Sequence, residues 1–382
     1  MRVLHVLPSY PPTSHTGPPV AVHRLCAALR ASGVDVRAAT TDDSGRSRTA
    51  VEADRWTTWD GVPVFYGSRI GWNGDLSPSL YRCINREVGD ADVVHVTAVY
   101  SWPTLSVALA SKREGTPYIV SPRGSLAPAA LVWRSWKKRL FNCAGGLAAL
   151  QRASGFHATS EGEAADVRAT VPRAHVCVVP NGTDVPDESE LLRLRAAGRD
   201  SYTLFLGRLH PHKNPDLLLR AWAKASAAEA SNQLVFAGPD VAGLGASLKR
   251  LARDRGCSER VHFAGPVEGE AKASLLARAK TVVLPSKSEN FGNAVAEALA
   301  HGTPVVATRG TPWSELGPRR CGWWVDADEE SLASAIRQAL VLDEHESTEM
   351  GNRGRAWMAA SFSWDSVAQK MATFYEQVLR TA

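Results

Sequence analysis

Between Thr281 and Thr308 the chain reads TVVLPSKSENFGNAVAEALAHGTPVVAT, and this stretch leaves little choice of fold. Val282 to Leu284 is an apolar run of strand length, Pro285 to Gly292 carries the polar residues and the glycine of a loop, and the spacing from Asn293 to Ala300 predicts a helix. Gly302 falls where a left-handed residue ends such a helix. Pro304 lies just beyond, and Val305 and Val306 return to the sheet. A strand, a helix and a second strand in this order belong to an α/β sheet with helices on its faces.

The same stretch carries chemistry. Glu289 lies in the loop and Glu297 on the second helical turn, so one acid stands in front of the helix and one beside it. Between them the amides of Phe291, Gly292, Asn293 and Ala294 stand at the positive end of a helix dipole, and Gly292 lets a ligand approach the backbone. Such a place suits a diphosphate flanked by hydroxylated rings, with one carboxylate accepting from a sugar and the other from a ribose. The competing reading is a glutamate that caps the helix and a solvated one on its surface.

SENFGNAVAEALAHGTPVVAT resembles the signature of the family 4 retaining glycosyltransferases, whose GT-B fold has two Rossmann-like parallel-sheet α/β domains facing a central cleft. The resemblance implies that Glu289 contacts the donor sugar, that Asn290 and the amides of Phe291 to Ala294 hold sugar and diphosphate, and that Glu297 holds the ribose.

At 382 residues the chain suits two domains, and 44% hydrophobic residues give each half a core. The net charge of +5 is modest and suggests no nucleic-acid partner. It sits wholly in the first half: 20 basic minus 15 acidic residues over 1–185, and 24 minus 24 over the rest. MRVLHVLPSYPP lacks the apolar run of a signal peptide, and no stretch approaches the roughly 18 apolar residues of a membrane span. The six cysteines show neither a CxxC pair nor a metal-ligand spacing. Reduced thiols in a cytoplasmic protein, at most at the inner face of the membrane, are the expectation.

In chain order, Arg2 to Leu7 predicts a first strand, Val20 to Ala31 a helix, and Val34 to Thr40 a second strand, with a loop between strand and helix at a carboxyl strand end. Gly17 resembles part of the family's glycine-rich loop there, followed by Pro18 in place of a second glycine. Further strands are predicted at Val62–Tyr66, Asp92–Thr97, Pro117–Ser121, Gly155–Thr159 and His175–Val179, which makes the first half a parallel α/β domain. His95 ends a strand in DVVHVTAVYSW. By itself it reads equally as a core residue, and the resemblance places it near the donor sugar, with Thr97 where a second histidine is often found. Arg123, at the next strand end, is the candidate acceptor-side contact. From Gly115 to Ser160 there are six basic residues and no acidic one. Trp133, Trp136 and Leu140 fall on one helical face with Arg134, Lys137 and Lys138 beside it, a pattern that suits an anionic bilayer or a lipid-linked diphosphate as well as an ordinary domain helix.

Asp184 to Asp200 is polar and reads as an interdomain linker. A second α/β series follows at Tyr202–Leu206, Gln233–Ala237, Val261–Ala264, Thr281–Leu284, Thr303–Ala307 and Gly322–Val325. Arg208 and Lys213 share the loop GRLHPHKNPD after its first strand, a planar fork and a point charge suited to one diphosphate. With Glu289 and Glu297 they resemble the family's leaving-group site, and FAGPVEG resembles its base-contacting loop around Gly265 and Val267. Gly243 and Gly245 in AGLGASLKR lack the third glycine of a dinucleotide fingerprint. Helical patterns fill Glu329 to Leu342 and Glu344 to Leu379, and SFSWDSVAQKMATFYEQVL resembles helices that cross back to the first domain. The expected domains are 1–185 on the acceptor side, 186–365 for the nucleotide sugar, and the returning helix 366–382.

Together these readings imply transfer of a hexose-type sugar, with retention, from a nucleoside diphosphate sugar to a glycan or lipid-linked acceptor in cell-surface polysaccharide assembly. The nucleotide sugar is substrate, no cofactor is expected, and no Asp-x-Asp metal site is present in a suitable loop. Two other classes remain: a nucleotide-sugar epimerase or hydrolase, which would consume donor without acceptor, and a binding protein that never turns over.

Overall fold

The computed structural model describes the chain from Met1 to Ala382 except residues 14–16, 45–46, 49–50, 71–74, 133–134, 197, 199, 201 and 228–230, and except the side chains of residues 43, 44, 47, 48, 129, 135 and 137. Trp133, Arg134 and the side chain of Lys137, expected on a basic helical face, therefore lie outside the described residues. Two compact units form, Met1–Gly182 with Trp364–Ala382, and Thr183–Ser363.

In the first unit Arg2–Val6 is central, parallel to Asp35–Thr41 on one side and to Val93–Thr97 on the other. The sheet continues through Val62–Gly67 on the first side, and through Tyr118–Ser121, Gly155–Ala158 and Val176–Val178 on the second. Ser77 and Ser101 accept the amides of Leu80 and Thr104 and so cap the helices Pro78–Asp90 and Trp102–Glu114, each with proline in its first turn. These helices cover one face. Gly17–Ala31 covers the other, where Val22, Leu25 and Leu29 share a core with Met371, Phe374 and Val378 of the last helix, Trp364–Thr381. Burial on both faces explains why these strands are apolar runs instead of alternating ones.

One strand departs from the all-parallel expectation. Trp56–Trp59 pairs antiparallel with Val62–Gly67, turning through Asp60 and Gly61 at φ 45° and 76°, the two successive left-handed residues of a tight hairpin.

The second unit is a six-stranded parallel sheet. In order across the sheet its strands are Val261–Gly265, Gln233–Ala237, Tyr202–Leu206, Thr281–Leu284, Val305–Thr308 and Gly322–Val325. Chain direction across the sheet therefore reverses between Tyr202–Leu206 and Thr281–Leu284, the place where doubly wound sheets open a crevice at their carboxyl edge. Pro215–Ala225 and Glu329–Val341 pack on one face, Asn293–Ala300 and Glu344–Phe362 on the other.

Two further expectations are corrected. Asp184 to Asp200 is no loose linker: Asp187 caps a helix, Glu188–Leu194, whose Leu191 and Leu194 bury against Ala277. Arg195 then donates to the carbonyls of Ala277, His301 and Gly302 at 3.1, 2.5 and 2.9 Å. The helical pattern from Glu344 onward breaks at Ser363, where the chain leaves the second unit beside its entry, with the Thr183 amide donating to the Phe362 carbonyl at 2.8 Å. Among the described residues no helix is long and apolar enough to cross a membrane.

Candidate active site

The second unit gathers most of the expected donor residues around its topological switch point. Lys213 ends the short turn Pro211–Lys213 after one strand, and Glu289 stands in the loop after the neighbouring strand. The Lys213 Nζ donates to the Glu289 Oε1 at 2.5 Å, with side chains 21% and 14% exposed, so the pair is shielded enough to be strong and open enough to be reached. The loops carrying them are tied together by the Lys287 amide donating to the His212 carbonyl at 2.9 Å, and the Glu289 amide donates to the Gly310 carbonyl at 2.8 Å. Arg208, on the same loop as Lys213, is exposed and makes no ion pair among the described residues.

Gly292 is the N-cap of the Asn293–Ala300 helix at φ 83°, and no side chain caps that end. A Cβ at Gly292 would meet Leu284 Cδ2 at 3.0 Å and Trp313 Nε1 at 3.3 Å in a backbone conformation that other residues resist, so sterics and φ both require glycine. The uncapped helix start directs its partial positive charge into the space beside Glu289. Asn290, Asn293 and Ala294 are half-buried there, whereas Phe291 turns inward against Trp313 and Phe362, with ring centroids 5.1 and 5.9 Å away. The Trp313 Nε1 donates to the Phe291 carbonyl at 2.5 Å and fixes the loop. Trp313→Phe keeps the packing and loses that bond. We expect a stability loss of about 1 kcal/mol and weaker donor binding, read by denaturant unfolding and nucleotide titration.

Glu297 is paired with Lys272 at 3.2 Å, both partly exposed. The loop around Gly265 lies two strands out from Tyr202–Leu206, at the edge of the sheet. The Gly238 amide donates to the Gly265 carbonyl at 2.7 Å, and the Gly207 amide donates to the Ala237 carbonyl at 2.8 Å, so three loops of the carboxyl edge are bonded in sequence. Gly238 admits no side chain, because a Cβ would lie 2.1 Å from the Gly207 carbonyl oxygen. Val267 is half-buried on the core beneath the Asn293–Ala300 helix.

The first-unit candidates fare differently. His95 is 1% exposed, its Nδ1 bonded to the Tyr375 hydroxyl at 2.8 Å and its Nε2 buried without a partner. The structure thus places His95 in the core of the first unit, with no accessible nitrogen. It lies between two more buried histidines, His5 and His157, at ring-centroid distances of 4.7 and 5.2 Å, and Tyr375 also reaches His5 Nε2 at 3.1 Å. Thr97 is buried as well, its hydroxyl without a partner. Gly17 opens the first helix as an exposed residue instead of lying in the preceding loop. Arg123 stands at φ 51° just beyond the Tyr118–Ser121 strand, as expected of a strand end, and its Nη1 donates to the Asn181 Oδ1 at 2.5 Å. Burial lowers its pKa, and Glu163 nearby opposes the shift.

Two family models match the chain, a glycosyl transferase 4-like domain over residues 16–182 and glycosyl transferases group 1 over residues 190–357. The chain belongs to the family 4 glycosyltransferases. A D-inositol 3-phosphate glycosyltransferase of Corynebacterium kroppenstedtii is 32% identical over 232 residues, covering 59% of this chain and 51% of that protein. The enzyme of that name from Mycobacterium tuberculosis is 33% identical over 187 residues, covering 46% and 37%. The chain thus spans about half, or less, of the length of these curated relatives. Among solved structures, Anabaena HepE in complex with UDP and glucose superposes with a TM-score of 0.76 at 18% identity, over 99% of this chain and 100% of that one. WaaG, a glycosyltransferase involved in lipopolysaccharide biosynthesis, gives 0.70 at 16% identity over 98% and 99%. These likenesses confirm the GT-B fold.

Within this family frame, sequence reading missed three residues of the second unit. Lys272 stands only a few positions after the FAGPVEG loop, and its charge opposite Glu297 was the available signal. Trp313 and Gly310 had none, since their roles come from contacts across the sheet edge.

Proposed function

We propose that this family 4 glycosyltransferase transfers a hexose-type sugar, with retention, from a nucleoside diphosphate sugar to a glycan or lipid-linked acceptor in cell-surface polysaccharide assembly. The reading rests above all on the Lys213–Glu289 pair at the switch point, beside a helix start that no side chain caps. A diphosphate brings the countercharge this place lacks. On its arrival Lys213 turns from the carboxylate to a phosphate oxygen, the amides at Gly292 to Ala294 meet the other oxygens, and Arg208 adds its fork. Glu289, released from its ion pair, then accepts from a donor sugar hydroxyl, and Glu297, held by Lys272, accepts from the ribose.

Such fixed donors act where negative charge grows on the leaving diphosphate, and they need no reorganisation as the bond breaks. HepE carries UDP or UDP-glucose in its complexes, and starch synthase IV of Arabidopsis thaliana carries ADP, so neighbours of this fold accommodate nucleoside diphosphates with either base. The test is a thermal-shift panel of nucleotide sugars followed by product analysis with and without acceptor. Donor at a hundred times Kd stabilises by about 2.7 kcal/mol. Donor consumed equally without acceptor would replace transfer by hydrolysis or epimerisation, and binding without turnover would leave a binding protein.

Because the chain supplies its own cations at the diphosphate, activity is expected to persist in chelator at the rate seen with added magnesium. Strict dependence on a divalent ion would remove this assignment of charge.

A further inference from the structure

We propose that a groove in the first unit, between the helices Pro78–Asp90, Trp102–Glu114 and Gly146–Gln151, holds one hydrocarbon chain of an anionic membrane lipid. The groove encloses about 490 Å³, within the roughly 300–1,000 Å³ of pockets that take small molecules. Leu76, Tyr81, Trp102, Leu105 and Leu109 wall it, and all but Leu105 are exposed. On the third helix Leu147 is exposed too, and next to it the Ser135–Cys143 helix exposes Trp136 and Leu140. Apolar surface so concentrated is not explained by a core, and it marks an interaction site.

The charge around it selects the occupant. Arg152 lines the groove, and the Lys138 ammonium, which also donates to the Ala130 carbonyl, lies 5.0 Å from the centre of the Tyr100 ring, itself in a T-shaped contact with Phe141. Arg139 and Lys112 are exposed on the bordering helices. The acids nearby are engaged: Asp75 accepts the Trp102 amide at 3.0 Å, and Glu114 pairs with Arg113. Apolar walls, two exposed tryptophans and basic residues together match an interfacial surface, where indole rings sit at headgroup level and cations meet anionic lipid. One buried chain alone gives only marginal, reversible binding, so the basic residues form the necessary second signal.

Position gives the groove its use. It starts at the first turn of Trp102–Glu114, past the carboxyl end of the Val93–Thr97 strand, and Arg123 follows the neighbouring strand at the same edge. A lipid whose chain lies in the groove presents its headgroup at the edge where acceptor chemistry is expected. The inference rests on the membrane-side reading of the first unit and not on the donor chemistry.

Vesicles of phosphatidylcholine and phosphatidylglycerol carrying a photoreactive group on an acyl chain provide the test. Irradiation should label peptides from 75–84, 102–109 and 144–152. Ala148→Trp fills the groove from an exposed lining position, and Leu109→Glu places a charge on its wall. Each is expected to cut labelling about tenfold, since one buried methylene changes affinity roughly fourfold, and to leave nucleotide-induced thermal shifts unchanged. Unaltered labelling in both variants, or labelling confined to 135–143, would overturn the groove while the membrane reading stands. Wild type that sediments with no vesicles would overturn both, and equal labelling from pure phosphatidylcholine would overturn the anionic selection.

Discussion

Arg208→Ala and Lys213→Ala are each expected to lower kcat by about two to three orders of magnitude, the loss found when one preorganised charge-stabilising donor is removed. Only the second is expected to unfold more easily. Arg208 is exposed and makes no ion pair among the described residues, so truncating it removes no countercharge from any of them. Lys213 neutralises Glu289 at 2.5 Å, and removing it leaves a mostly buried carboxylate without its countercharge, at a cost of roughly 1–3 kcal/mol. The double variant Lys213→Ala with Glu289→Gln should recover stability and not activity. Initial rates of nucleotide release, together with denaturant unfolding of the three proteins, separate the two effects. Full activity in both single variants would end the leaving-group role.

The second large expectation concerns acid. His5, His95 and His157 are 0%, 1% and 2% exposed in the first unit. Burial pushes the pKa of His5 down to about 3, with the Arg123 charge adding to the fall. Burial likewise holds His95 and His157 well below the ordinary histidine range; the neighbouring histidines add to this for His95, and Arg123 adds for His157. All three stay neutral in the folded chain. The unfolded chain takes up protons near pH 6.5, so below that pH it binds more protons than the folded form, and stability falls as pH falls. Each histidine contributes about 1.4 kcal/mol per pH unit once pH is well below 6.5, on the order of 4 kcal/mol per unit for three. Stability is fully present above pH 7 and drains from 6.5 downward. Urea unfolding of the full chain between pH 8 and 5 should show the first unit's midpoint falling steeply. His157→Gln, whose amide can still donate to the Val179 carbonyl that His157 Nε2 reaches at 2.8 Å, should lose about a third of the slope. A flat midpoint from pH 7.5 to 5.5 would overturn the account.

The same histidines mark where reading the sequence stops. HisVal and ValHisVal in strand segments say that a ring lies in a sheet, but not that three strands bring three rings side by side. That follows from the parallel register that sets His5 opposite His95, and from Tyr375, which returns from the far end of the chain to bond two of them. The Asp60-Gly61 hairpin, by contrast, was written locally: two residues with the right chemistry for left-handed backbone between two runs of strand-forming residues, WTTW and VPVFY. Asp187 and its helix show the opposite case, since a short amphipathic turn is polar enough to look like linker until Leu191 and Leu194 find Ala277.

By itself the sequence determined the doubly wound architecture, the helix over Asn293–Ala300, the glycine at 292 and the residue types of the proposed diphosphate site. These follow from periodicity, capping and backbone conformation, which act within a few residues. Only the tertiary structure decided that Lys213 and Glu289 form one ion pair, that Lys272 holds Glu297, that Trp313 clamps the Phe291 carbonyl, and that His95 belongs to the core. These pairings join residues 22 to 280 positions apart. They are set by strand order and by which helix covers which face, and no local rule in the chain carries that information.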